Sequence, residues 1–408
     1  MNPSKSLIVQ KKNDASLIQH ITLVIGLVCV GIGQTLLYTI LGPASREIGL
    51  SEFSVGLIVT IAALIIVLSS GAWGRLIAKF GSKKSYISGM TFYTLGSLSL
   101  AYALNLGIQH SISTIQAFII LLTIRGITGA LTAGIHPAAM TYIAESTSKE
   151  NRGAGIALIA SAYGIGSVIG PLLGSVVGSY SLTLPIYLAA TISLLGTVFG
   201  VFILKPQENS IAETNKSNKK IKLSDKRVFP ILIGIAFTYV GFSAFQQTIS
   251  FYIQDSFSLY PQETIVKTGV AVSIMALLMI ATQLIYIQIF KPQSKKLLFL
   301  GLLFCVFGFC MLGVLNSKIF YIYVGSGSLG VGFGMMIPAI QASASLAVNE
   351  EEQSGVAGFL FGASAFGYVI GPVLGTYLYS LAPEIMFSTC VFVVIIAAVS
   401  TKKIIGNK

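Results

Sequence analysis

Charged side chains are scarce in this sequence. Only 10% of the 408 residues are Asp, Glu, Lys or Arg, whereas 54% are hydrophobic. A soluble domain carries roughly 25% charged residues, so a soluble fold of this length could not cover its surface. The apolar residues also occur in long runs, and about 20 apolar residues span the hydrocarbon core of a bilayer. The composition therefore excludes a soluble globular protein and predicts an integral membrane protein.

Acidic residues are particularly few, and their positions are informative. The chain has 14 Asp and Glu residues, each of which lies in a loop or at the end of an apolar run. No carboxylate falls in the middle of a predicted span. A lipophilic cation that leaves water needs a counter-charge. This absence therefore argues against a cation-selective drug pump.

The sequence also lacks any motif for catalysis or metal binding. Its four cysteines, Cys29, Cys305, Cys310 and Cys390, lie in apolar runs without metal-ligand or disulfide spacing. The glycine-rich segment near Gly330 lies in an apolar run and follows no predicted strand, so it is not a nucleotide fingerprint. We expect no metal, no cofactor and no enzymatic activity. We therefore expect an ion gradient, namely a proton gradient, to supply the energy.

Apolar runs bounded by glycine, proline or charge predict twelve transmembrane helices. They lie near residues 20–41, 53–78, 84–106, 113–142, 153–179, 183–204, 229–253, 267–290, 297–316, 320–347, 354–380 and 384–401. The polar segment 205–228 is rich in Asn, Ser and Lys, which predicts a flexible linker. It divides the chain into two six-helix bundles, residues 1–204 and 229–408.

Basic residues are distributed unequally between the two predicted sides. The net charge is +12, and 22 of the 26 Lys and Arg residues fall on the side that carries both termini, against three on the other. The positive-inside bias places that side in the cytoplasm. This bias accounts for the charge, so we expect no nucleic-acid binding. We expect a monomer in the plasma membrane with both termini cytoplasmic.

The two halves repeat at a fixed offset. Pro137 lies 34 residues before Pro171, and Pro338 lies 34 residues before Pro372, so both pairs are related by 201 residues. The same offset relates Gly129/Gly330, Gly166/Gly367, Gly170/Gly371 and Gly174/Gly375. Internal repeats of this kind are typical of transporters in which two bundles rock around a central site.

Four segments carry a resemblance to a known family: GRLIAKFGSKK from Gly74, RGITGALTAG from Arg125, GIGSVIGPLLGS from Gly164, and ENRGAG after the fourth span. The sequence resembles the major facilitator superfamily, and within it the twelve-helix drug:proton antiporters. The resemblance implies an all-α fold of two pseudo-symmetric bundles, alternating access and proton-coupled export. With the repeat, it indicates the residues of the conformational motifs: Gly74, Lys79, Gly81, Lys83, Lys84, Glu145, Arg152, Gly166, Gly170, Pro171, Gly174, Gly371, Pro372 and Gly375.

One position departs from the family pattern. Ala78 stands where the family's loop motif usually has an acidic residue that pairs with basic groups and steadies one conformation. The lock between the bundles is then either weaker here or rebuilt around Glu145 and Arg152. Alternatively, these charges are only solvated loop residues.

Arg125 is the one Lys or Arg residue in the middle of a predicted span. It lies roughly twelve residues into that span, near the midplane. Arg125, Gly129, Thr132 and His136 share one face of a regular helix. We predict that Arg125 supplies the charge of the substrate cavity, and that Arg125 and His136 are candidates for proton coupling. Alternatively, Arg125 binds helix carbonyls and His136 packs in front of Pro137.

Polar and aromatic residues in the middle of other spans complete the predicted cavity, although each could instead pack between helices. They are Gln34, Tyr38, Tyr163, Tyr239, Gln246, Gln247, Gln283, Gln341, Phe361 and Tyr368. A cavity whose fixed charge is positive predicts proton-driven export of an anionic or zwitterionic metabolite, for example a carboxylate siderophore. The alternatives are a multidrug pump for neutral or amphipathic compounds and, more remotely, a membrane receptor or membrane enzyme.

The orientation can be tested by labelling in a variant without the four native cysteines. Asn215→Cys in the linker should react with a membrane-impermeant maleimide only after the cells are opened, because the basic side faces the cytoplasm. Lys318→Cys, on the predicted outer side, is the control and should react in intact cells. Labelling of Asn215→Cys from outside would contradict the orientation.

Overall fold

The computed structural model describes residues 3–147, 152–206, 221–315 and 317–405. Within these ranges the chain is helical apart from short loops, and it contains no strand. The helices are α1 (Pro3–Glu47), α2 (Glu52–Phe80), α3 (Ser82–Ile108), α4 (Thr114–Thr132), α5 (Ile135–Ser146), α6 (Arg152–Gly178), α7 (Leu184–Ile203), α8 (Phe229–Phe257), α9 (Pro261–Ala281), α10 (Ile287–Phe290), α11 (Ser294–Val314), α12 (Ile319–Leu346), α13 (Gln353–Leu381) and α14 (Pro383–Ile405). A π-helical segment, Thr282–Tyr286, joins α9 to α10, and a short 3-10 turn precedes α13.

These helices form twelve columns in the described part of the chain, since α4 continues into α5 and α9 into α10. Eleven columns are long and apolar enough to cross a membrane. The twelfth, α3, has 27 residues but contains many serines, threonines and tyrosines. The prediction of an all-α integral membrane protein is confirmed.

The fourth column differs from the predicted single span, because it breaks between α4 and α5. Trp73 of α2 packs directly on Gly134, and its indole N–H donates to the carbonyl of Ala130 at 2.7 Å. In an unbroken helix that carbonyl would accept from the N–H of Gly134. The inserted tryptophan therefore satisfies the carbonyl and permits the turn.

The predicted span 267–290 also differs from the structure, since its helix already begins at Pro261.

Helices α1 and α6 cross at very short distance. A Cβ atom on Gly166 would lie 2.8 Å from the Cα atom of Gly31, so both helices need glycine at the crossing. The hydroxyl of Thr35 donates to the carbonyl of Gly166 at 3.2 Å. Small residues let backbones approach closely in lipid, where no hydrophobic effect drives helices together.

The crossing of α8 and α13 has the same arrangement. The hydroxyl of Ser243 donates to the carbonyl of Gly367 at 3.0 Å, and a Cβ atom on Gly371 would lie 2.7 Å from the carbonyl of Val240. Gly367 lies 201 residues after Gly166, which is the offset of the sequence repeat. The bundle boundaries remain a prediction, because residues 207–220 of the linker lie outside the described ranges.

The two halves touch near the end of the molecule that carries the α1–α2 loop. The hydroxyl of Thr60 on α2 donates to the carbonyl of Val369 on α13 at 2.8 Å. A Cβ atom on Gly56 would lie 2.9 Å from the carbonyl of Pro372. Helices α6 and α9 also meet closely, since Gly269 faces the carbonyl of Pro171.

The halves are separated at the opposite end, which we call the basic end because it carries the lysine-rich α2–α3 turn. A Cβ atom on Gly71 or Gly74 of α2, or on Gly358 or Gly362 of α13, would meet nothing within 4 Å. Phe361 of α13 is 75% exposed. A space between the halves therefore opens toward the basic end.

A cluster at the basic end ties the last residues of the predicted linker to the start of α13. Arg227 donates to Asp225 at 2.8 Å and to Glu352 at 3.1 Å. The hydrogen bonds from Arg227 to the carboxylate of Asp225 lower the pKa of Asp225 below its ordinary value. The segment that leads into α8 is thereby held against the start of α13.

The crossing of α1 and α6 generates a stability prediction. Gly166→Ala should destabilise the protein by about 1–3 kcal/mol, because its methyl group would meet backbone atoms that cannot move aside independently. Gly200→Ala is the matched control, since its nearest neighbour would be Ile87 Cγ1 at 3.7 Å. Thermal unfolding of the purified proteins measures both. Equal melting temperatures for Gly166→Ala and the wild type would contradict the prediction.

Candidate functional site

A central cavity of about 940 Å³ lies between the two halves. It is lined from α1, α2, α4, α5, α6, α8, α12 and α13. Nine of the residues predicted for the cavity or for proton coupling line it: Gln34, Tyr38, Arg125, His136, Tyr163, Tyr239, Gln341, Phe361 and Tyr368. Sequence analysis did not select Ser345, Gln353 and Ser364, which also line it. The volume suits a small organic molecule, because ligand pockets commonly measure about 300–1,000 Å³.

Arg125 is the only charged side chain among the described residues that line this cavity. Its Nε atom is buried and has no hydrogen-bond partner in the part of the chain that the structure describes. Tyr38 lines the same cavity, and Tyr93 and Arg125 both line a smaller space. No carboxylate of the described chain forms an ion pair with it. The cavity therefore contains a positive charge that the described residues do not neutralise.

His136 lies in the first turn of α5 and also lines the central cavity. Its ring packs edge to face against Tyr163, with 5.7 Å between the ring centroids. A titratable imidazole and a guanidinium thus share one cavity, although the break before α5 interrupts the regular helix face that the sequence predicted.

Two other residues of that predicted face do not line the cavity. Gly129 packs on α2, where a Cβ atom would lie 3.1 Å from the carbonyl of Ala62. The hydroxyl of Thr132 donates to the carbonyl of Thr128 at 2.8 Å, within its own helix. The structure therefore places Gly129 in a helix contact and Thr132 outside the cavity lining.

A second chamber of about 540 Å³ adjoins the central cavity. Both spaces share a wall formed by Tyr38, Tyr163, Tyr239, Tyr368 and Gln341, which we call the tyrosine wall. Within this wall, the rings of Tyr239 and Tyr368 lie 5.2 Å apart between centroids.

The second chamber, and not the central cavity, receives two of the predicted glutamines. Gln246 and Gln283 line it. Their neighbour Gln247 is buried but lines neither space. The predicted set is therefore divided between two chambers, with Gln247 outside both.

The predicted loop motif forms the α2–α3 turn at the basic end. Gly81 ends α2 with φ of 86°, a conformation that residues with a Cβ atom rarely adopt. Lys83 donates to the carbonyl of Val201 at 3.2 Å, and Lys79 lies over the ring of Phe80. These contacts anchor the turn within its own half.

Glu145, the acid of the rebuilt lock that the sequence suggested, has a hydrogen bond within its own half. Glu145 accepts a hydrogen bond from Ser82 at 2.6 Å, which joins the end of α5 to the start of α3. The side chain of Arg152 lies outside the described residues, so its pairing with Glu145 stays a prediction. Ala78 and Lys84 are exposed.

An ion-pair cluster that sequence analysis missed closes the end opposite the basic end. Arg46 at the end of α1 binds Glu52 at 2.6 Å and Asp255 at the end of α8 at 2.8 Å. Tyr379 of α13 donates to Asp255 at 2.6 Å. The guanidinium also lies 4.9 Å from the ring centroid of Phe251. We call this group the Arg46 clamp, because it joins the two halves.

One feature of the sequence could have indicated the clamp, namely that basic residues are rare on the side of the molecule opposite the basic end. Arg46 is one of only three basic residues there, and several acids lie at neighbouring helix ends. Pairing across the chain could not be read from spacing, since Arg46 and Asp255 are separated by 209 residues.

Twelve helical columns around a central cavity with one buried charge define an integral membrane transporter of small molecules, not an enzyme. The chain belongs to the Major Facilitator Superfamily, whose family model matches residues 23–293 and 289–404.

Individual proteins are similar over nearly the whole length. Multidrug resistance protein 2 of Bacillus subtilis is 24% identical, and the match covers 90% of each chain. The bacillibactin exporter of the same organism is also 24% identical over 90% of this chain and 91% of that one. The solved structure of a nucleoside transporter, NupG, has a TM-score of 0.74 at 11% identity, with 96% of this chain and 99% of that chain covered.

Removing one acid of the Arg46 clamp should loosen the closed end. Asp255→Asn keeps an acceptor for Tyr379 but loses the charge, and partly exposed pairs contribute up to about 1 kcal/mol, or roughly a fivefold change in population. Spin labels at Glu47 and Tyr260, in different halves, report the separation. Glu263→Gln is the control, because this acid lies outside the clamp. Unchanged distances with Asp255→Asn would show that the clamp does not hold the halves together.

Proposed function

We propose that this protein exports a small organic anion or zwitterion from the cytoplasm, in exchange for protons, by alternating access. A carboxylate-rich chelator such as a siderophore is the kind of substrate that the site favours. The similarity to a bacillibactin exporter is consistent with this class of cargo.

The observation that carries the proposal is the unpaired guanidinium of Arg125 in the central cavity. Burying an arginine at membrane depth is costly unless it meets a partner or water. A carboxylate can accept two parallel hydrogen bonds from a guanidinium, which gives both affinity and orientation. An anionic substrate would therefore supply the partner that the described residues do not.

The direction of transport rests on the proposed orientation. With the basic end in the cytoplasm, the central cavity opens inward, and the Arg46 clamp closes the outer side. This state would receive a substrate from the cytoplasm. Opening the clamp and closing the basic end would then release it outside.

Protons would be carried by His136 or by the acid groups of the substrate. His136 lines the same cavity as Arg125, and an unperturbed imidazole titrates near neutral pH. A protonated His136 beside Arg125 would add a second positive charge to the cavity. The charge of a bound substrate and the charge of a bound proton would therefore interact within one cavity.

The second candidate function is efflux of neutral or amphipathic drugs. The observation that favours it is the apolar part of the central cavity, to which Val59, Ile66, Val67, Leu360 and Phe361 contribute. The similarity to a multidrug resistance protein agrees with this alternative. A lipophilic compound could bind this surface without using Arg125.

Binding to purified protein distinguishes the two candidates. Citrate should bind to the wild type more tightly than tetraphenylphosphonium, because the cavity charge is positive. Arg125→Ala should weaken citrate binding by roughly ten- to a hundredfold, since charge-assisted hydrogen bonds contribute about 1.5–3 kcal/mol. Arg125→Lys should also bind citrate less tightly, because it keeps the charge without the bidentate geometry.

The matched control is Arg75→Ala, which removes an exposed arginine at the basic end of α2. It should leave citrate binding unchanged. If the wild type binds tetraphenylphosphonium as tightly as citrate and Arg125→Ala affects neither, the anion proposal is wrong and the drug-efflux function replaces it.

A further inference from the structure

We infer that the second chamber binds an uncharged arm of the substrate, one that carries an apolar or aromatic group and an N–H or O–H donor. The inference rests on the proposed function, because the anionic part of the same molecule would bind at Arg125 in the central cavity. The cargo would then be an amphipathic molecule with an anionic head and a neutral amide- or hydroxyl-bearing arm.

The strongest observation is an unsatisfied acceptor on a residue of the chamber lining. Gln246 lines the chamber and is only 7% exposed, and its buried Oε1 atom has no hydrogen-bond partner among the described residues. Leaving a buried acceptor unpaired costs about 1–3 kcal/mol. A donor group on a bound molecule would remove that cost, so Gln246 favours a ligand with an N–H or O–H group at this position.

The rest of the chamber lining defines a neutral environment. Val272, Met275 and Met279 of α9 and Phe242 of α8 form an apolar surface, and none of the described lining residues carries a charge. Methionine side chains adapt to irregular shapes and make favourable contacts with aromatic rings. The chamber thus suits an aromatic or aliphatic group and would disfavour a second charge.

The helix that forms this surface changes from α-helix to π-helix beside the chamber. The π-helical segment Thr282–Tyr286 follows α9, and Gln283 within it lines the chamber. Such segments widen a helix locally and are frequent at functional sites. Here the widened turn adds a second amide to the lining, next to the apolar surface of α9.

The chamber is connected to the charged site by shared side chains. The tyrosine wall belongs to the lining of both spaces, so one molecule could contact Arg125 on one side and Gln246 on the other. The second space alone measures about 540 Å³, which is ample for an aromatic ring with its amide.

Two probes that share a dicarboxylate test the inference in the purified full-length protein. Glutarate carries the anionic part alone, and N-benzoylglutamate adds an aromatic ring and an amide N–H. N-Benzoylglutamate should bind to the wild type about tenfold or more tightly than glutarate, because it also fills the second chamber and pairs the buried acceptor.

Two variants should remove this preference without affecting glutarate. Gln246→Met removes the acceptor at nearly constant volume. Gly164→Leu fills space in the chamber, where the nearest atom to an added Cβ would be Ile280 Cδ1 at 3.6 Å. Unchanged glutarate binding shows that each variant is folded and that its charged site is intact.

Each variant has a matched control. Gln247→Met changes the adjacent buried glutamine, whose Oε1 is also unpaired but which lines neither space. Val176→Phe adds bulk on the same helix as Gly164, at a side chain that is 63% exposed. Both controls should keep the preference for N-benzoylglutamate.

The outcomes separate this inference from the proposed function. A wild type that binds both probes equally, or a preference that survives Gln246→Met and Gly164→Leu, would overturn the second-chamber site. Failure of the anion proposal would instead be seen as unchanged binding of both probes to Arg125→Ala. Loss of the preference in the two chamber variants alone would support the site.

Discussion

The close crossing of α1 on α6, repeated by α8 on α13, is the contact on which the rest of the structure depends. Apolar side chains gain little by packing together in lipid, so tight backbone approach must hold the helices. The glycines that permit it also determine where the larger side chains go. Tyr38 and Tyr163 flank the first crossing, and Tyr239 and Tyr368 flank the second. The tyrosine wall between the two chambers is therefore a direct product of how each half packs.

Two arginines in this protein are held in opposite ways. Arg46 is matched by Glu52 and Asp255, and it serves as a connection between the halves. Arg125 has no acidic partner among the described residues and borders open space. A satisfied charge stabilises one arrangement of helices, whereas an unsatisfied one favours the arrival of a ligand. The same type of side chain thus has a structural role at one end, whereas in the middle we propose a recognition role for it.

The sequence was sufficient for the fold because hydropathy and charge asymmetry are strong, local signals. It predicted the helical columns and nine of the residues that line the central cavity, since mid-span polar residues must avoid lipid. It could not predict the break before α5, which depends on the indole of Trp73 from another helix. Nor could it separate Gln246 from Gln247, because adjacent residues differ by about 100° around a helix and only packing shows which faces a chamber. Nor could it predict the Arg46 clamp, because that cluster needs the ends of four helices, α1, α2, α8 and α13, to come together.

The open glycines at the basic end, Gly71 and Gly74 of α2 and Gly358 and Gly362 of α13, have a consequence for how mutational tolerance is read. In this conformation a methyl group at any of them would meet nothing within 4 Å, so a survey scored by protein abundance would rank them as freely replaceable. In a transporter that alternates between an inward-open and an outward-open state, residues without contacts in one state pack against the other half in the second state. The second state would then require small residues at these positions. Tolerance measured by protein abundance would therefore differ from tolerance measured by transport.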